Sequence, residues 1–156
     1  MLQYEVAFDG RAPRTALRGT DFAPLSADGA DFWRIHLDVG ELRELTVFST
    51  AQETPEVRRS GNETVYIYDR LRAENGADFD ITFRLTVRAE NGALTFLPEL
   101  ENRSAARVNE IQAPFLAFSR LAGEPAEEVL YIPNSLGERI ADPRTYIRRR
   151  CHTEYI

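Results

Sequence analysis

The 156-residue chain holds two histidines and one cysteine, the first places to look for chemistry. His36 sits in Arg34-Ile35-His36-Leu37-Asp38, where strand alternation would set Arg34, His36 and Asp38 on one face. Such a row could orient an imidazole for proton transfer. It also suits ordinary cross-strand pairing on a solvated face, and that is the preferred reading. His152 stands beside Cys151 without a zinc spacing around it; a structural zinc site takes about four nitrogen or sulfur ligands, more than this chain can offer. No metal and no cofactor is expected. Among 25 carboxylates no pair stands out as a glycosidase acid and base. The chain also lacks a G-x-S-x-G elbow, a P-loop and a G-x-G-x-x-G fingerprint.

Aromatic residues are more suggestive. If Val65, Ile67 and Leu71 face a core, then Tyr66, Tyr68 and Arg70 project from the opposite face. By the same alternation Arg84, Thr86 and Arg88 join them from the next strand. Tyrosine offers an apolar ring and a polar tip, so this face could stack a sugar or pack against another domain. Trp33, Tyr66, Tyr68 and Arg84 are therefore the candidate carbohydrate contacts, although Trp33 shares its parity with Ile35 and Leu37 and also suits the core.

The elements that would position these residues are strands. Phe79–Arg88 alternates apolar and polar over ten residues, and Thr64–Leu71 is rich in β-branched and aromatic types. The hexapeptide Arg72-Ala73-Glu74-Asn75-Gly76-Ala77 recurs letter for letter as Arg88-Ala89-Glu90-Asn91-Gly92-Ala93. Each copy holds an Asn-Gly pair, a strong hairpin signal, so a three-stranded antiparallel meander is expected over about residues 63–101. Further strands are expected over Leu2–Phe8, Trp33–Val39, Leu45–Ser49, Ile111–Phe118 (interrupted at Pro114) and Val129–Ile132. Segments 10–30 and 50–63 read as turn-rich. The sum is one all-β antiparallel sandwich over 1–156, without a clear domain boundary.

Composition narrows the function. The net charge of −6 disfavours a nucleic-acid binder, although all 19 basic residues are arginine. No apolar run is long enough to span a bilayer, and no basic-then-apolar leader opens the chain, so no membrane role and a cytoplasmic location are expected. The end at Tyr155-Ile156, without a turn or polar tail, reads as a domain cut from something longer.

Two longer stretches carry a resemblance. Leu94–Ser104 followed by Val108–Leu116 resembles the N-terminal β-sandwich of many bacterial glycoside hydrolases, where one strand ends in an Asn-x-Ser turn and the next closes on a proline. Phe32-Trp33-Arg34-Ile35-His36-Leu37 is similar to an early strand of those domains, and Ile132–Pro143 to a later proline-then-glycine loop. The resemblance implies a galactose-mutarotase-like supersandwich, here short and incomplete, of the kind that precedes a catalytic barrel. It implies a non-catalytic module in domain packing or weak carbohydrate contact, with a downstream catalytic domain or a second copy as partner. The alternatives are a mutarotase-like sugar epimerase using His36 or His152, and a pure assembly module joined through open sheet edges.

Overall fold

The computed structural model describes residues 3–9, 12–18, 25–28, 31–115, 129–132 and 138–142. Their strands are β1 (Gln3–Asp9), β2 (Ala12–Arg18), β3 (Leu25–Asp28), β4 (Arg34–Val39), β5 (Leu42–Phe48), β6 (Glu56–Ser60) and β7 (Glu63–Tyr68). Then come β8 (Leu71–Arg72), β9 (Asp78–Phe79), β10 (Ile81–Glu90), β11 (Ala93–Asn102), β12 (Arg107–Gln112), β13 (Val129–Ile132) and β14 (Glu138–Ala141). The one helical piece among the described residues is a 3-10 turn at Ser49–Ala51, so none of their helices could cross a membrane. The chain is all-β, as its alternation predicts. Contacts divide it into two compact units, Met1–Phe118 and Ser119–Ile156. In the second, β13 pairs antiparallel with β14.

Among the described residues of the first unit, three sheets run in the orders β1-β2-β3, β11-β10-β7-β6 and β12-β4-β5, with β8 and β9 as a small separate ladder. The core lies between the inner faces of the last two large sheets. Ile35, Leu37 and Val47 pack there with Tyr66, Tyr68, Phe83, Leu85 and Trp33, and β1 adds Val6. Sheets stack this way because each buries one parity of its side chains.

The expected meander exists: β7, β10 and β11 are antiparallel neighbours. The two identical hexapeptides nevertheless take different shapes. The second copy closes a two-residue hairpin between Glu90 and Ala93, with Asn91 at φ 51° and Gly92 at φ 76°. Two positive φ values in succession mark the turn whose twist matches its strands. In the first copy only Gly76 is positive, at 85°. There Glu74 docks on the edge of β5, its N–H donating to the Thr46 carbonyl (2.8 Å) while its Oε1 accepts from Thr46 N–H (3.1 Å). The β5 edge selects a shape that six letters alone do not specify.

Several expectations need correction. Segment 10–30 contains β2 and β3, and segment 50–63 contains β6. The strand expected across Pro114 lies earlier, ending at Gln112. The larger correction concerns faces. Tyr66 and Tyr68 are buried, while Val65 and Ile67 are half-buried on the outer side. Arg70 adopts φ 52°, and this left-handed residue breaks the alternation, so Tyr68 and Leu71 both point inward although three apart. Counting parity backwards from Leu71 through Arg70 therefore inverts the whole strand.

Candidate functional site

The rings proposed for sugar contact are core. Trp33 is 0% exposed, with Tyr68 edge-on at 4.9 Å between ring centroids and Phe83 tilted at 4.7 Å. Phe32 meets Tyr66 edge-on at 5.4 Å, and Tyr4 of β1 meets Phe96 at 5.3 Å. Among the described residues the Tyr4 and Tyr68 hydroxyls and the Trp33 indole nitrogen are buried outside hydrogen-bond geometry. The indole N–H lies near enough to the Tyr68 hydroxyl to oppose part of its pKa rise, without completing a bond.

Burial lifts these phenols. Tyr66 is pushed up to about 12, with Arg59 pulling back slightly, and Tyr4 and Tyr68 rise further, mainly by desolvation. An unfolded tyrosine ionises near about pH 10, so above that pH the unfolded chain gains by losing protons the folded chain keeps. Stability from this source is complete below about pH 10 and is lost as pH climbs through about 12. An ultraviolet tyrosinate titration should show three of the six tyrosines un-ionised until the chain unfolds. Six tyrosines ionising together in the ordinary range would contradict their burial.

Arg84 does stand on the outer face of the four-stranded sheet, paired in register with Ile67 of β7 and Glu99 of β11. That face is laced with ion pairs. Arg88 Nη2 meets Glu63 at 2.7 Å, Arg58 Nε meets Glu56 at 2.6 Å, and Arg103 reaches Glu101 (2.7 Å) and Asp80 (3.2 Å). Arg84 itself lies 3.9 Å from Glu101. The Thr82 hydroxyl donates to Asp69 at 2.7 Å and holds that carboxyl below its ordinary range, helped by Arg103. Pairs this exposed contribute little stability, but they leave a face whose charges are matched.

The outer face of β12-β4-β5 differs. The inner parity of β4 carries Ile35 and Leu37, so Arg34 and His36 face out. Arg34 stands opposite Phe48 and Gln112, and His36 opposite Thr46 and Glu110. The Arg34 guanidinium lies 4.7 Å from the Phe115 ring centroid and 5.3 Å from Phe48, with Nε 2.8 Å from Asp31. Phe115 is held there by its own N–H, which donates to the Phe32 carbonyl at 2.9 Å. Beside this stack opens a groove of about 550 Å³, lined among the described residues by His36, Glu44, Thr46, Asn109 and Glu110. His36 Nδ1 is 3.5 Å from Thr46 Oγ1, a long contact.

Two irregularities shape the groove. The β12–β4 register shifts between Val108 and Glu110, which makes Asn109 the extra residue. The β4–β5 register shifts between Leu37 and Val39, and nearby Glu44 takes φ 60°, its N–H donating to Asp38 Oδ1 at 3.0 Å. Bulges re-aim side chains, and this pair brings Glu44 and Asn109 to the groove around His36. Sequence reasoning singled out His36 and missed the other four. A signal existed: Leu42 to Leu45, and Val108 to Ile111, are apolar pairs spaced three apart inside alternating segments, the footprint of one inserted residue.

The row Arg34-His36-Asp38 is present, but Arg34 is committed to Asp31 and two rings, and Asp38 to the Glu44 N–H. His152 and Cys151 lie outside the described residues. Among the described residues no three His, Cys, Asp or Glu side chains gather to hold a metal. The groove can offer hydrogen bonds and negative charge to something placed on it. No protein-family model, curated protein or solved structure matches this chain.

Proposed function

We propose that this chain is a non-catalytic β-sandwich module of a glycoside-hydrolase-like protein, and that it works by packing the outer face of β12-β4-β5 against a neighbouring protein surface. The contrast between its two outer faces carries this reading. One face carries matched ion pairs and suits water; the other carries an arginine between two phenylalanines beside an open groove. Arginine and aromatic residues are enriched where proteins meet. The resemblance of Leu94–Ser104 and Val108–Leu116 to sandwich domains that abut catalytic barrels points the same way.

The edges of the four-stranded sheet are poorer contact surfaces. Edge strand β11 carries Pro98, Glu99 and Glu101, and the short edge strand β6 carries Arg58 and Arg59, which are devices that blunt strand addition. Weak carbohydrate contact is the second reading, favoured by the hydrogen-bonding lining of the groove.

Hydrogen exchange separates these readings. Amides of β5 and β12 should exchange more slowly in extract of the native cells than in the purified chain, with β6 and β11 unchanged. Equal exchange in both settings would reject packing. Slowing of β5 and β12 in the purified chain by cellotetraose or maltotetraose would favour carbohydrate contact instead.

A further inference from the structure

We propose that Asn91 is a site of spontaneous backbone modification, where the Asn91-Gly92 turn closes to a succinimide and reopens as aspartate or isoaspartate. Asparagine before glycine is open to this chemistry because glycine sets no side chain in the way of its own backbone nitrogen. The deprotonated Gly92 nitrogen attacks Cγ of Asn91 and forms an N–Cγ bond. The Cγ–Nδ2 bond breaks, and Nδ2 leaves as ammonia with the proton that Gly92 gave up. Solvent water then opens the ring at either carbonyl. One opening gives aspartate; the other gives isoaspartate, whose main chain runs through the side-chain carbon.

The two identical hexapeptides hold the same Glu-Asn-Gly-Ala letters in different frames, and both asparagines and both glycines are exposed. Ring closure needs the glycine nitrogen to swing round to the side-chain carbonyl, so a closed turn must open first. What fastens each turn therefore sets its rate. In the first copy Gly76 N–H donates to the Ala73 carbonyl (2.9 Å), Ala77 N–H to Asn75 Oδ1 (3.1 Å) and Ala73 N–H to the Ala77 carbonyl (2.8 Å). Glu74 ties the same turn to Thr46 by two further bonds. Both reacting groups, the Gly76 nitrogen and the Asn75 amide, are thus engaged. The second copy is a hairpin tip. Neither Gly92 N–H nor the Asn91 amide has a hydrogen-bond partner among the described residues. The nearest ties are the Glu90–Ala93 pair and the bonds between Asn62 and Ala89. A two-residue loop has no room for an added backbone carbon, so isoaspartate at this position loosens the joined ends of β10 and β11.

The test is incubation of the whole chain in mildly alkaline buffer, then trypsin digestion and mass spectrometry against an unincubated control. Cleavage after arginine separates the two copies, as Ala73–Arg84 and Ala89–Arg103. In the folded chain Asn91 should convert at least about fivefold faster than Asn75, with isoaspartate among its products. In concentrated urea the two should convert at similar rates, because their local letters are the same. Equal rates in the folded chain, faster conversion of Asn75, a difference that survives in urea, or aspartate formed without isoaspartate would each overturn the proposal.

Discussion

Trp33→Ala is expected to remove about 3–5 kcal/mol of stability, the range for deleting a fully buried large aromatic side chain. The indole has no exposed surface and sits among Tyr68 and Phe83 at ring-centroid distances of 4.9 and 4.7 Å. Its loss therefore leaves a cavity that the two sheets would have to approach each other to close. Domains of this size are stable by about 5–15 kcal/mol, so the variant should lie near the edge of folding. Urea denaturation of both proteins measures the difference. A loss below about 1 kcal/mol would mean that Trp33 lies at a surface, as a carbohydrate platform requires.

Gln52→Ala should cost about 2–4 kcal/mol, although the residue carries no charge and little apolar surface. Gln52 is 4% exposed, and its side chain joins the end of β5 to β8. Its Nε2 donates to the carbonyls of Phe48 (2.8 Å) and Arg72 (2.9 Å), while its Oε1 accepts from Arg72 N–H at 2.8 Å. Alanine leaves two carbonyls and one N–H without these partners, and each part-buried orphan costs about 1–3 kcal/mol unless water reaches it. Gln52→Glu keeps the acceptor but sets a carboxylate against two carbonyl oxygens. It should be at least as harmful at neutral pH and should recover in acid, where the protonated group can donate again. The same denaturation series, run at neutral and acidic pH, checks both variants. Equal stability of Gln52→Ala and the parent chain would contradict the clamp.

Much of the architecture was legible because strand alternation is a local signal. The strand expected over Phe79–Arg88 is present chiefly as β10, with Phe79 split off at Asp80 into the short β9, and the second Asn-Gly hairpin is where its letters place it. The faces were less legible, for a physical reason. β7 is an inner strand whose two parities are both apolar, so only neighbouring strands decide which side goes inward. The single left-handed residue Arg70 then transmits the wrong parity from Leu71, moving Tyr66 and Tyr68 from the surface into the core. The candidate groove was half visible. His36 is plain in the sequence, but Glu44 and Asn109 reach it through two bulges on different strands, and Glu110 through the pairing of β12 with β4, more than 70 residues away in sequence. No spacing rule along the chain joins residues that distant.

Carboxyl labelling, in which a carbodiimide couples an amine to accessible Asp and Glu side chains, tests the contact face most directly. Glu110 lines the groove on one face, and Glu99 is exposed on the other, so each is the other's control. The comparison is between the purified chain and the same protein in extract of its native cells. The packing reading predicts that labelling of Glu110 and Glu44 falls several-fold in the extract while Glu99 labels equally in both. Undiminished labelling of Glu110, or loss at Glu99 with Glu110 unchanged, would contradict it.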